Sequence, residues 1–155
     1  MVSPAPNDNE IPSSYEVLYE ASFKTMYFDK NSSIVITIWN QESANITDED
    51  YKLDSEQTVK LIRSSHAKYM ISDHRENRFR ISEELQKWYS ELIAHELGRS
   101  GFEKCAVVIT TDLNLLSALE EIKTNLESQG DEVRISYKFF NEFKDALTWV
   151  HSKNH

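Results

Sequence analysis

The loop from Asp73 to Ser82 concentrates side chains that could recognise an anion. Its charged and imidazole groups are those of Asp73, His74, Arg75, Glu76, Arg78 and Arg80. Planar guanidinium groups suit carboxylate and phosphate oxygens, and here they outnumber the carboxylates of the same loop. This composition predicts a local basic patch that binds a partner through Asp73, His74, Arg75, Arg78 and Arg80. The alternative is that the arginines pair with carboxylates of their own chain.

Motifs of known enzyme and cofactor sites are missing from the sequence. It contains no GxGxxG, GxxxxGK[ST], GxSxG or HExxH pattern. His66, His74 and His95 lie far apart, and His151 and His155 lie in the C-terminal tail, beyond the last predicted helix. The single cysteine, Cys105, lies in an apolar run, where burial would raise the pKa of its thiol. We therefore expect no enzymatic activity, no cofactor and no metal site.

Hydrophobic periodicity predicts an antiparallel start to the fold. Residues 15–19 alternate apolar and polar side chains, as in a half-buried strand. Residues 26–28 and 33–39 read as two further strands, which the turn-forming residues 29–32 join into a hairpin. Residues 1–13 show no periodicity, so we expect a disordered tail followed by a single domain over residues 14–152.

After the hairpin, helical and strand patterns alternate. The predicted helices span residues 47–65, 82–97, 112–130 and 141–150, and the predicted strands span 68–72, 104–110 and 133–139. Thr47 offers a capping box, Ser82, Asp112 and Asn141 are predicted N-caps, and Gly98 is a predicted left-handed C-cap. The apolar strand at 104–110 is expected at the centre of the sheet. The fold class is therefore α/β, a mixed sheet that begins with an antiparallel hairpin, continues as βα units and is flanked by helices.

Composition narrows the partners and the compartment. The 155 residues include 26 acidic and 17 basic side chains, for a net charge of -9. This charge repels phosphate backbones and anionic lipids, so we expect neither nucleic-acid nor membrane binding. A single cysteine, no basic and apolar leader pattern and no long apolar run favour a reduced, cytoplasmic location.

Six short features resemble the STAS superfamily, and more closely its small bacterial SpoIIAA-like proteins. They are Ile38-Trp39, Tyr51 near an acidic helix start, the stretch Tyr69–Trp88 with Asp73 at its strand end, Gln86-Lys87-Trp88, Ala106-Val107-Val108 and Ala146-Leu147-Thr148-Trp149. The resemblance covers about residues 14–152. It implies a non-enzymatic regulatory or protein-interaction domain like the anti-sigma-factor antagonists, with a protein partner of unknown identity.

The resemblance also implies a modification site. In anti-sigma-factor antagonists, a serine at the start of a helix is phosphorylated, and Ser82 falls close to that place. The family pattern Asp-Ser-Ser-Gly reads Ile81-Ser82-Glu83-Glu84 here, without the aspartate and the glycine. Two carboxylates beside Ser82 would repel a phosphate, whereas the helix dipole would favour it.

Related SpoIIAA-like and CRAL-TRIO lipid-transfer proteins suggest a second class of function, the binding of a small apolar, lipid-like ligand between sheet and helices. The aromatic residues that could line such a pocket are Trp39, Trp88, Tyr89, Trp149 and Phe102. The same residues could instead form the apolar core, and Trp88 with its neighbours could form a homodimer surface.

Overall fold

The computed structural model describes residues 11–109, 111–130 and 133–153. The strands are β1 (Glu16–Ala21), β2 (Lys24–Asp29), β3 (Ile34–Trp39), β4 (Tyr69–Asp73), β5 (Lys104–Val108) and β6 (Ser136–Phe140). The helices are α1 (Asp48–Ser65), α2 (Glu83–Leu97), α3 (Leu113–Glu127) and α4 (Phe143–His151), with a short 3-10 helix at Gln41–Asn45. The α/β class predicted from the sequence is confirmed.

The six strands lie side by side in chain order, from β1 to β6. β1, β2 and β3 are antiparallel, and β3 to β6 run parallel. The centre of the sheet is the β3–β4 pair, so the prediction that β5 is central is wrong. β5 is nevertheless fully buried, because β6 covers its outer side and helices pack on both faces.

The direction of the crossovers decides where the helices lie. After β3, each new parallel strand is added at the same edge of the sheet. Right-handed crossovers that all advance toward one edge place their helices on one face of the sheet. Buried residues of α1, α2 and α3 accordingly share one core cluster, whereas those of α4 belong to a second cluster. The order of the described strands never reverses, so the sheet lacks the reversal point at which open α/β folds commonly bind cofactors.

Alternation along the strands supplies both cores. On β3, Val35 packs with the α1–α3 layer, and Ile34 and Ile36 pack with α4 on the opposite face. Ile11 is also buried in the α4 cluster, although the sequence placed it in the expected tail. The rest of that tail, residues 1–10, lies outside the described residues.

The predicted helix ends at Thr47, Gly98 and Asn141 agree with the structure only where a side chain forms the cap. Thr47 and Asp50 form both bonds of the predicted capping box, at 3.1 and 3.0 Å, so that prediction is confirmed. Gly98 is right-handed, with φ -57° and ψ -29°, so its predicted left-handed cap is wrong. The chain stays helical through Gly98 and turns left-handed at Gly101, whose φ is 90°. Asn141 is not the cap of α4, since Glu142 takes that position without a side-chain hydrogen bond.

Candidate functional site

The segment predicted to bind a partner leaves the carboxyl end of β4. We call residues 74–82 the β4–α2 loop. It passes the 3-10 helix that follows β3 and ends at Ser82, the N-cap of α2. Its polar groups divide into a buried set that holds the loop in place and an exposed set that faces solvent.

The buried set begins with an ion pair between Asp73 and Arg75. The Arg75 Nε lies 3.0 Å from Asp73 Oδ1, and its Nη2 lies 2.8 Å from Oδ2, which makes a two-pronged contact. The backbone amide of Arg75 also donates to Asp73 Oδ1, at 3.1 Å. The side chains are 0% and 4% exposed, so each charge depends on the other for compensation.

His74 extends this network into the protein interior. Asn77 Oδ1 accepts from the Phe79 amide at 2.9 Å, which directs Asn77 Nδ2 to donate to His74 Nδ1 at 3.0 Å. His74 Nε2 then carries the proton and donates to Ser72 Oγ at 2.9 Å. Burial, with a smaller contribution from the positive charge of Lys24, lowers the pKa of His74 to about 3. The imidazole is therefore neutral at physiological pH and has both ring nitrogens occupied.

Further bonds tie the loop to the segment after β3. The Arg78 amide donates to Ser43 Oγ at 2.7 Å, and Gln41 Nε2 donates to Glu76 at 2.7 Å. The Asn77 amide donates to the His74 carbonyl at 3.0 Å. Backbone groups that donate to fixed partners have little freedom, so the loop is a preorganised surface.

Two arginines of the loop face solvent. Arg78 and Arg80 are exposed, and Arg78 contacts Glu76 at 3.2 Å. Among the described residues, no ion pair involves Arg80. A depression of about 290 Å³ separates the loop from the start of α3, and its lining residues are Arg78, Phe79, Arg80, Ile81, Asp112, Asn114 and Leu115. Leu113, in the same turn of α3, is 78% exposed. We call Arg78, Arg80, this depression and Leu113 the arginine surface.

Burial corrects the binding patch predicted from the sequence. Asp73, His74 and Arg75 lie under the surface, because Arg75 neutralises Asp73 internally and His74 stacks on Trp39 with ring centres 5.7 Å apart. Of the five residues in that prediction, Arg78 and Arg80 are the ones exposed to solvent. The alternative considered above, that the arginines pair within their own chain, is right for Arg75. It also holds for Arg78, whose guanidinium contacts Glu76 and donates to the Arg75 and Asn77 carbonyls.

Ser82 has the helix-capping role that its position predicts. Its hydroxyl oxygen accepts from the Leu85 amide at 3.2 Å, and the residue is exposed. It follows Arg80 by two residues and lies at the end of α2 that favours negative charge.

The aromatic residues proposed for an apolar pocket do not share one. Trp39 and Tyr89 border a narrow cavity between the sheet and α1–α3, and Phe102 is buried in the core cluster of that layer. Trp149 belongs to the α4 cluster on the opposite face of the sheet. Trp88 borders an open groove between α1 and α2, where Leu53 is 58% exposed. The pocket prediction is therefore wrong as a single site. Trp88 as a homodimer contact stays a prediction, which sedimentation analysis of the purified protein decides.

A buried ion pair that the sequence reading missed lies beside that cavity. Lys24 Nζ donates to Asp54 Oδ2 and to Thr58 Oγ1, each at 2.7 Å, and lies 5.1 Å from the ring centre of Trp39. The signal was present in the sequence: Lys24 and Met26 are two residues apart, so both point to the same face of β2. Asp54 and Thr58 are likewise one turn apart on α1.

The interior groups do not form a nucleophile with its base. Ser72 is bonded to His74, but His74 Nε2 is the donor and cannot accept the serine proton. Burial raises the pKa of the Cys105 thiol to about 12, which keeps it protonated. Lys24 is held in its ion pair with Asp54, although burial lowers the pKa of its amine. These buried hydrogen bonds and the Lys24–Asp54 ion pair therefore stabilise the fold.

Within residues 11–109, 111–130 and 133–153, no cluster of three or more His, Cys, Asp or Glu side chains has the arrangement of a metal site. None of the helices in these ranges has the length and hydropathy needed to cross a membrane. Comparisons with protein-family models, curated proteins and solved structures found no match to this chain. The site is therefore interpreted from its own contacts.

We expect Arg75→Met to lower the free energy of unfolding by about 3–5 kcal/mol, because it leaves the Asp73 carboxylate buried without its counter-charge. Arg80→Met removes the same kind of side chain from an exposed position of the same loop, and should cost no more than about 0.5 kcal/mol. Urea denaturation of both variants measures the difference. Equal stabilities would contradict the assigned role of the Asp73–Arg75 pair.

We expect His74 to make stability depend on pH. Its pKa is about 3 in the folded chain against an ordinary value of 6.5, so the unfolded chain binds the extra proton between these values. The contribution of neutral His74 to stability is complete above pH 6.5 and is lost as pH falls towards 3. Over this range the free energy of unfolding falls by at most about 1.4 kcal/mol per pH unit. Denaturation at several pH values should show a shallower slope for His74→Gln. An unchanged slope would assign the dependence to other groups.

Proposed function

We propose that this protein is a non-enzymatic, cytoplasmic interaction module that binds a protein partner through the arginine surface. The observation that carries the proposal is that Arg78 and Arg80 are exposed on a loop whose backbone is fixed by buried hydrogen bonds. A loop ordered before binding loses little conformational entropy when a partner docks. The buried Arg75 orders the loop, and the exposed Arg78 and Arg80 contribute recognition.

The chemistry of the arginine surface favours a partner with an acidic segment. Guanidinium groups make paired hydrogen bonds to carboxylates, and two of them border one depression. The chain as a whole carries a net charge of -9, so its other surfaces repel the same acidic segment. An acidic segment is attracted by Arg78 and Arg80 and repelled by the rest of the surface. This contrast determines where the partner binds and in which orientation. Leu113 adds an exposed apolar contact at the rim.

The resemblance to STAS domains supports a regulatory role, with Ser82 as the modification site. A phosphate on Ser82 would add negative charge beside Arg80 and would compete with an acidic partner for that arginine. The carboxylates of Glu83 and Glu84 oppose the modification, and the start of α2 favours it. Intact-mass measurement of the protein from its own cells, with peptide mapping, tests this part: absence of phosphate on Ser82 under growth and stress would leave it a helix cap alone.

Charge reversal tests the binding proposal. We expect Arg78→Glu/Arg80→Glu to remove the partners that the wild-type chain captures from an extract of its own cells. Lys68→Glu is the control for position, since it reverses one exposed charge at the other end of β4. A captured partner is then purified, and its Kd is measured by titration. We expect binding to weaken by at least tenfold in the arginine variant and to remain unchanged in the control, because each lost charged contact is worth about 1.5–3 kcal/mol.

Both variants must keep the stability of the wild-type chain, since all three substituted residues are exposed. Partner binding that survives reversal of Arg78 and Arg80 would reject the arginine surface. Binding that is lost equally in Lys68→Glu would show an effect of net charge instead of a docking site.

A further inference from the structure

An open groove of about 840 Å³ lies between α1 and α2. Its apolar lining includes Leu53, Trp88 and Leu92. Leu53 is 58% exposed, and Trp88 and Leu92 are half-buried. Apolar side chains that share an exposed groove with a charged rim are typical of a surface that another chain covers.

The charges that line this groove cancel. The described lining has two carboxylates, Glu56 and Glu96, and two cations, Lys60 and Arg63. The chain as a whole carries a net charge of -9, so two copies repel each other across most of their surface. The α1–α2 groove is a neutral region on this acidic chain, so a second copy can approach there without net repulsion.

The neighbouring groove between α2 and α3 has a different character. Among the described residues its lining has no apolar side chain, and it carries three carboxylates and one amine, from Glu83, Glu91, Glu121 and Lys87. A second copy would be repelled there. The sheet edge at β1 is unfavourable as well, because it exposes Glu16 and Glu20, and pairing with another β1 would bring like charges together.

Two charges on α1 indicate how a second copy fits. Glu56 and Lys60 are exposed and one helical turn apart, and within the part of the chain that the structure describes neither takes part in an ion pair. In a two-fold contact, every pair of residues occurs twice with the roles of the copies exchanged. An axis that crosses α1 between Glu56 and Lys60 therefore places Glu56 of each copy beside Lys60 of the other. The charge pattern of α1 is complementary to itself when two α1 helices run antiparallel.

We propose that the α1–α2 groove binds a second copy of this chain, with α1 of each copy lying in the groove of the other and antiparallel to its α1. Leu53 of each copy then covers apolar lining of the other, and the two Glu56–Lys60 contacts determine the register. The described residues of this groove do not overlap with those of the arginine surface, so the proposal stands independently of partner binding.

Sedimentation equilibrium of the purified chain tests the dimer. We expect the mass to rise with concentration from that of one chain to that of two and no further, because a two-fold contact is closed. Leu53→Ser should raise the dimer Kd by about tenfold or more, since it removes an apolar side chain from the contact. Val17→Ser is the matched control, because Val17 is 56% exposed and lies on β1, away from the groove. A chain that stays monomeric up to its limit of solubility, or equal effects of the two substitutions, would overturn the proposal.

Charge exchange on α1 tests the antiparallel arrangement. Glu56→Lys and Lys60→Glu each bring like charges together in a dimer of identical chains, so each variant alone should dimerise about tenfold more weakly. An equimolar mixture of the two should dimerise like the wild-type chain, because every contact between unlike chains then joins a lysine to a glutamate.

A mixture of Glu120→Lys and Lys144→Glu controls for net charge, since both residues are exposed and lie on α3 and α4. These two variants should dimerise like the wild-type chain, both alone and mixed. Groove variants that associate no better when mixed than when alone would overturn the arrangement. An equal gain on mixing the control variants would assign the association to net charge and reject the groove contact.

Discussion

The buried pair of Asp73 and Arg75 is the interaction on which the candidate site depends. Both charges are removed from solvent at the end of β4, and each is acceptable there only because the other faces it. The pair fixes the backbone where it leaves the sheet, and the bonds of His74 and Asn77 continue this order to Phe79. Arg78 and Arg80 can therefore be presented to solvent from a fixed frame.

A second buried pair has a different role. Lys24 and Asp54 join β2 to α1 across the core, with Thr58 and Trp39 around the amine. Apolar side chains dominate the α4 side of the sheet, where the buried Lys104 donates to the carbonyls of Trp149 and Ser152. The α1–α3 side includes the Lys24–Asp54 polar centre. Charges in the interior contribute little net stability but penalise misplacement of the elements that carry them. The polar centre thus fixes the position of α1 over the hairpin strands.

Most of the fold follows from local patterns. Period-two alternation located β1 and β6, and short apolar or β-branched runs located the other strands. Helical stripes located the four helices, and side-chain caps at Thr47, Ser82 and Asp112 set the starts of α1, α2 and α3. Gly98 was misjudged because a glycine can take either hand, and the sequence does not state where the chain needs the left-handed one. The centre of the sheet was misjudged because strand order is decided by long-range packing.

The site was less predictable than the fold. A run of arginines shows that charge is concentrated in a loop, but whether one of them turns inward depends on a carboxylate fixed at a strand end. Asp73 lies two residues from Arg75, so the pair was visible in the sequence, while its burial was not. The aromatic residues were likewise divided between the two faces of the sheet. For a strand residue the face depends on its position in the alternation, and for a helix residue it depends on the face that the helix covers.

The central claim is that the β4–α2 loop is ordered before any partner binds. Native-state hydrogen exchange of the wild-type chain measures this most directly. The amides of Arg75, Asn77, Arg78 and Phe79 donate to Asp73, His74, Ser43 and Asn77, respectively, so the account predicts that they exchange far more slowly than an unstructured peptide. Exchange of these four amides at the unstructured rate, with α2 still protected, would contradict it.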